Sequence, residues 1–311
     1  MNKAYRLEVK NLSLIYKNLL PTKEDFGALT DVSVTFEAGR IYGLIGRNGA
    51  GKTSLLSVLA SFRKASQGTI KLNDENLFDN GELMQHVQFV YQKEFNSESG
   101  ELYPKARKYI KRETLYRPDF DQKYADELIQ KFKLPTNKRP NKLSKGMQSI
   151  LSVIIGLASR TPITIFDEAY LGMDAWARDL FYKEILKERE RHPRTFILSS
   201  HLIAEMEYLF DEVIIIHKGH LTNVGTYDEI VSKGQTITGA TATVDEFVKD
   251  KKTLNTETLG GVKKVTIFGN LTDQERRLAT EMDLEIATIS LQDLFIHLTK
   301  DENEKEADEN E

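Results

Sequence analysis

Up to about residue 230, apolar positions fall into short, β-branched runs separated by stretches with helical spacing. That alternation predicts a mostly parallel sheet covered by helices. The runs Ile41–Ile45, Val87–Tyr91, Ile163–Phe166, Thr195–Leu198 and Val213–Ile216 are largely apolar throughout, as strands buried on both faces are. Between Lys93 and Asn141 the β-branched runs stop, and Tyr124, Leu128, Ile129 and Phe132 recur at helical spacing. A helical insert over about 93–160 is therefore expected inside a first domain of residues 1–234. Residues 235–300 predict strand, helix, strand, helix, strand, helix, with strands at Lys264–Phe268 and Glu285–Ile289. The segment has apolar positions of its own, among them Val265, Ile267, Leu294 and Phe295, and is expected to form a small α+β domain. Residues 301–311 lack apolar anchors and are expected to be a disordered acidic tail.

Composition narrows this only slightly. A chain of 311 residues with 40% hydrophobic and 29% charged positions is an ordinary globular protein, neither collagen-like nor disordered. Its apolar runs fall far short of the roughly 20 residues a bilayer crossing needs. The start, MNKAYRLEVK, has no apolar core, so a cytosolic location is expected. Cysteine is absent, which removes disulfides and thiolate chemistry. Net charge is −4, but the last eleven residues hold seven acids and one lysine, so the body is near neutral. Bulk charge therefore favours neither nucleic acid nor an anionic membrane surface.

The chemistry begins after the run Ile41–Ile45. Gly46, Arg47, Asn48, Gly49, Ala50, Gly51, Lys52 and Thr53 match G-x-x-x-x-G-K-[ST], and Ser54 opens the helical run that follows. Strand, loop and helix are the context this phosphate loop requires. Its glycines let backbone amides curl around phosphate oxygens, Lys52 reaches the β and γ phosphates, and the Thr53 hydroxyl ligates Mg²⁺. A second run, Ile163–Phe166, ends in Asp167 and Glu168, carboxylates at the strand end where ligands of open parallel sheets bind. Asp167 is expected to serve Mg²⁺, and Glu168 to polarise a water, a task typically contributing about 10²–10⁴ in rate.

A third motif, Leu143-Ser144-Lys145-Gly146-Met147, lies shortly before Glu168. With the first two it resembles the ATP-binding cassette (ABC) ATPases, over about residues 5–230. The resemblance implies a P-loop α/β fold and ATP hydrolysis with Mg²⁺. It also implies that Ser144 and the Gly146 amide reach the γ-phosphate held by a second ATPase subunit, identical or paralogous. The form LSKGM departs from the common LSGGQ and looks like that of bacterial ABC-2-type exporter ATPases, as does the run Tyr116–Phe120. Ala169 stands where the family usually has proline. Gln92 resembles the glutamine that contacts Mg²⁺ and water, and His201 the γ-phosphate histidine. Asp174, after Gly172 and Met173, looks like part of the loop that touches the opposite subunit. Tyr16 resembles the aromatic that stacks on adenine, with Phe26 the rival. The expected partners are integral membrane permease subunits, which place the chain peripherally at the inner face of the membrane.

Other features carry less. Lys105, Arg107, Lys108, Lys111 and Arg112 alternate with Tyr103, Tyr109 and Tyr116, a pattern better explained by a solvated helix face than by nucleic acid. In the family this insert docks on the membrane partner. Met147 and Met173 are expected to pack. No G-x-S-x-G elbow supports acyl transfer. A soluble, non-transport ABC ATPase acting on ribosomes or nucleic acid is the alternative, and such proteins usually fuse two cassettes or carry long coiled coils.

Overall fold

The computed structural model describes residues 4–17, 25–93, 95 and 103–300. The expected tail, and most of the stretch between Tyr16 and Phe26, lie outside the described residues. Along the chain come β1 (Leu7–Tyr16), β2 (Phe26–Phe36), β3 (Ile41–Ile45), α1 (Lys52–Leu59), β4 (Gln67–Leu72), β5 (Glu75–Asn76), α2 (Gly81–Met84) and β6 (Val87–Tyr91). The helical stretch holds α3 (Ala106–Glu113), α4 (Gln122–Lys131) and α5 (Lys145–Ala158). Then follow β7 (Ile163–Asp167), α6 (Ala175–Arg191), β8 (Thr195–Ser200), α7 (Ile203–Met206), β9 (Glu212–His217), β10 (His220–Thr226) and α8 (Tyr227–Val231). The last part is β11 (Gly234–Ala240), α9 (Thr241–Val248), β12 (Thr253–Leu259), β13 (Val262–Phe268), α10 (Asp273–Glu281), β14 (Glu285–Thr288) and α11 (Leu291–Leu298).

The central sheet has the order β10-β9-β3-β8-β7-β6, parallel except for the edge strand β10. Successive side chains of a strand point to opposite faces, and both faces here are covered. Ile41 and Ile45 of β3 enter one hydrophobic cluster, whereas Tyr42 and Leu44 enter the other. In β9, Val213 and Ile215 face the first cluster, and Ile214 and Ile216 the second. Double burial is why these strands are apolar throughout. An antiparallel sheet, β2-β1-β4-β5, closes the second cluster with Leu7, Val9, Leu29 and Phe36. Helices α4 and α5 close the first, with Tyr124 and Leu128 turned inward.

The third sheet is antiparallel, in the order β12-β13-β11-β14. It holds one strand more than the alternation predicts: the three expected helices are present as α9, α10 and α11, and the extra strand, β12, forms a hairpin with the expected strand β13. Val265 and Ile267 pack with Ile237 and Val244 in a small third cluster. Leu294 and Phe295, on α11, instead join the first cluster, beside Ile203, Met206 and Ile230. The last helix thus packs into the same core as the central sheet. Among the described residues no helix is long and apolar enough to cross a membrane.

Candidate functional site

The carboxyl ends of β3, β6, β7 and β8 converge, and each delivers polar residues to the same edge. From β3 the chain passes through Gly46–Ala50 into α1. Gly51 has φ +110°, a backbone that L side chains rarely adopt, and a Cβ there would lie 2.8 Å from the Ala28 carbonyl oxygen. The loop is tied on both sides: the Ala50 amide donates to the Arg47 carbonyl at 3.1 Å, and the Gly219 amide to the Ala50 carbonyl at 2.9 Å. No side chain caps the start of α1, which leaves its first-turn amides to an anion. Lys52 is buried, and its ammonium donates to the Gly46 carbonyl at 2.7 Å and the Arg47 carbonyl at 3.3 Å. Asn48 and Gly49 are exposed at the turn of the loop.

Strand β7 ends in buried Asp167, and the next residue, Glu168, takes a left-handed backbone with φ +47°. That turn is stabilised from the neighbouring strand. Asp167 pairs in register with Ser199, whose hydroxyl donates to Asp167 Oδ1 at 2.6 Å and accepts the Glu168 amide at 3.0 Å. The Glu168 carboxylate then lies between two side-chain nitrogens. Its Oε1 lies 3.5 Å from Lys52 Nζ and 3.2 Å from His201 Nδ1. The His201 turn is held by Ser200, whose hydroxyl accepts the Leu202 amide at 2.8 Å and meets the Tyr170 phenol at 2.7 Å. Burial pushes that phenol up to about 12, so it remains neutral and anchors the loop. Ala169, in the family's proline position, is buried beside it.

An open cleft of about 600 Å³ joins Tyr16, Thr53, Gln92, Asp167 and Glu168. A hydroxyl, an amide oxygen and a carboxylate in one cleft are the hard oxygen donors Mg²⁺ takes, so these residues fit that ion. Tyr16 stands at the end of β1, where its phenol meets the Ser54 hydroxyl at 3.1 Å. Its strand partner is Phe26, with ring centroids 6.4 Å apart, so the two adenine candidates stand side by side. The Arg63 guanidinium lies over the Tyr16 ring, 5.1 Å from its centroid.

Ser144, Gly146 and Asp174 do not line this cleft. They form a second, outward-facing edge. Ser144 caps α5 by accepting the Met147 amide at 3.3 Å, and Asp174 caps α6 by accepting the Ala177 amide at 2.8 Å. The two caps are close-packed: a Cβ on Gly146 would lie 2.3 Å from the Gly172 carbonyl oxygen, and Ser149 donates to the Leu171 carbonyl at 2.6 Å. Met173 is buried, whereas Met147 is on the surface, a departure from its expected packing.

Two features escape a reading of the sequence. Ser199 looks like any polar residue ending an apolar run, and only the strand register puts it against Asp167. The other is the end of the described chain: Arg47 donates to the Thr299 carbonyl at 3.4 Å, and the Ala204 amide to Gln292 Oε1 at 3.4 Å. Helix α11 therefore touches the segments beside the phosphate loop and beside His201.

Comparison with known proteins identifies the family. The family model for ABC transporters matches residues 29–171. The ABC transporter ATP-binding protein YtrB of Bacillus subtilis is 31% identical over 204 residues, covering 65% of this chain and 68% of its own length. The NatA protein of the same organism is 31% identical over 212 residues, 65% of this chain and 83% of that one. The spermidine/putrescine import ATP-binding protein PotA of Thermotoga maritima is 25% identical over 227 residues, 72% and 61% of the two chains. A solved ATP-binding subunit of an ABC transporter superposes with a TM-score of 0.59 at 25% identity, over 72% of this chain and 91% of that one. The cassette MJ0796, solved as a post-hydrolysis dimer with ADP and Pi, gives 0.59 at 20% identity, over 71% and 98%. The fold is that of a P-loop NTPase. The chain belongs to the ATP-binding proteins of ABC transporters, a family of ATPases that bind ATP, typically with Mg²⁺.

Proposed function

We propose that this chain hydrolyses ATP at two composite sites of a dimer, homodimeric or with a paralogue, and so drives export through separate membrane-spanning subunits. The observation that carries the reading is the Glu168 carboxylate at the end of β7, between Lys52 and His201 and beside the cleft that holds Thr53 and Asp167. Amides of the phosphate loop and Lys52 would take the phosphate oxygens, where preorganised donors stabilise developing charge. Thr53, Asp167 and Gln92 would hold Mg²⁺, which supplies neutralisation of the β and γ oxygens when bound. Glu168 accepts a proton from the attacking water as its oxygen bonds the γ-phosphorus and the bond to the β-bridging oxygen breaks, giving ADP and phosphate. His201, on the same carboxylate, orients it and faces the γ-phosphate.

The exposed caps Ser144 and Asp174 support a shared site, because residues that do not line their own chain's cleft are available to a partner's. Residues 1–234 would form the cassette, with the insert 93–160 docking on the membrane subunits and 235–300 an accessory unit. Export rests on the likeness of Leu143–Met147 to ABC-2-type exporter ATPases, a likeness that also points towards antimicrobial peptide, antibiotic or lipid-like cargo. Purification of the tagged chain from solubilised membranes tests the reading. It predicts a co-isolated polytopic membrane protein that stimulates ATPase activity. Isolation with ribosomes or nucleic acid instead would favour the non-transport alternative.

A further inference from the structure

The Arg63 guanidinium lies over one face of the Tyr16 ring, 5.1 Å from its centroid. Both residues line the same cleft as Thr53 and Asp167, so this stacked pair borders the place where a nucleotide's phosphates would bind. The two partners differ in freedom. Tyr16 is fixed, because its phenol meets Ser54 in the first turn of α1 and Phe26 flanks its ring. Arg63 is fixed only at its root, where its amide donates to the Ser57 carbonyl at 3.2 Å and the preceding Phe62 amide to the same oxygen at 2.8 Å. Its side chain is exposed, and among the described residues no carboxylate pairs with it. A long cationic side chain resting on one aromatic face can swing without breaking any other contact.

Stacked π layers sit roughly 3.5–4 Å apart, so a guanidinium 5.1 Å from the ring centroid and a purine cannot share that face. A base stacking on that face would therefore displace the Arg63 side chain, whose backbone stays anchored on Ser57 of α1. We propose that Arg63 caps the purine of ATP, leaving Tyr16 to admit the ring and closing on its other face, so that the base lies between an aromatic plane and a cation. The inference rests on the nucleotide-site reading above. It adds a second, cationic contact to base recognition, distinct from the phosphate contacts.

A cation over a π face at an exposed site contributes to the extent of about two- to fivefold in affinity, and more once water is excluded. The test is calorimetric titration of the full chain and of Arg63→Ala with Mg-ATP and with inorganic tripolyphosphate, which has phosphates but no base. The expected result is ATP binding weakened about three- to tenfold with tripolyphosphate binding unchanged, and partial recovery in Arg63→Lys. Unchanged or tighter ATP binding in Arg63→Ala would show that Arg63 merely covers Tyr16, and equal weakening of both ligands would make it a phosphate ligand. Either overturns the cap. A parent chain that binds neither ligand would overturn the nucleotide site itself, a failure visible before any variant is compared.

Discussion

Removing one buried hydroxyl, Ser199→Ala, should cost both stability and rate. Ser199 is fully buried and serves two neighbours at once, giving a hydrogen bond to the Asp167 carboxylate at 2.6 Å and taking one from the Glu168 amide at 3.0 Å. A hydrogen bond to a charged group contributes about 1.5–3 kcal/mol, and leaving a buried N–H unpaired costs about 1–3 kcal/mol. Asp167 borders the open cleft, so water recovers part of the first loss, and a net cost of about 2–4 kcal/mol is expected. The small volume change leaves no cavity large enough to add much. Urea unfolding followed by circular dichroism measures that cost. The same amide holds Glu168 in its left-handed turn, and a shift of roughly 1 Å in a catalytic group can cost about 10²-fold. Steady-state ATPase should therefore fall by about ten- to a hundredfold. A midpoint within about 0.5 kcal/mol of the parent, together with an unchanged kcat, would refute the bridging role.

Three further outcomes follow from the same geometry. Gly146→Ala places a Cβ against the Gly172 carbonyl and should cost about 1–3 kcal/mol while lowering ATPase activity more than ATP binding, as titration beside a rate assay would show. Leu294→Ala, at a fully buried position of α11, should destabilise the chain by about 2–5 kcal/mol in urea, because that helix shares the first cluster with Ile203 and Met206. Glu275 is lowered to about 2, first by the Lys251 ammonium and then by the Thr272 cap, so its contribution is complete above its ordinary value of 4.5 and is lost as pH falls towards 2. The group is partly exposed and screened by salt, so Glu275→Gln should lower stability slightly at pH 6 and less at pH 3, measured at low ionic strength.

What the sequence made legible divides along a physical line. Strands β3, β6, β7, β8 and β9 are buried on both faces, so each appears as an apolar run, and the motifs at their ends follow within a few residues. Local features of that kind need no knowledge of pairing. β12 carries TLNTETL and is mostly exposed, so its polar pattern gives no strand signal and only its register with β13 reveals it. Leu294 and Phe295 mark an apolar helix face, yet a helix face does not say which core receives it. The role of Ser199 depends on its register with Asp167, a relation between residues far apart in the chain. The closeness of Gly146 to Gly172 is non-local in the same way.

A site shared between two chains has a direct test. Glu168→Gln keeps side-chain volume and the Mg²⁺ ligands while removing the base, so ATP should bind, remain intact and hold two chains together. Ser144→Arg added to that variant puts bulk and charge where the γ-phosphate of the opposite subunit would meet the start of α5. Static light scattering with Mg-ATP, over a range of protein concentrations, compares the two. A dimeric mass is expected for Glu168→Gln and a monomeric mass once Ser144→Arg is added. Equal ATP-dependent dimerisation with and without Ser144→Arg would contradict it.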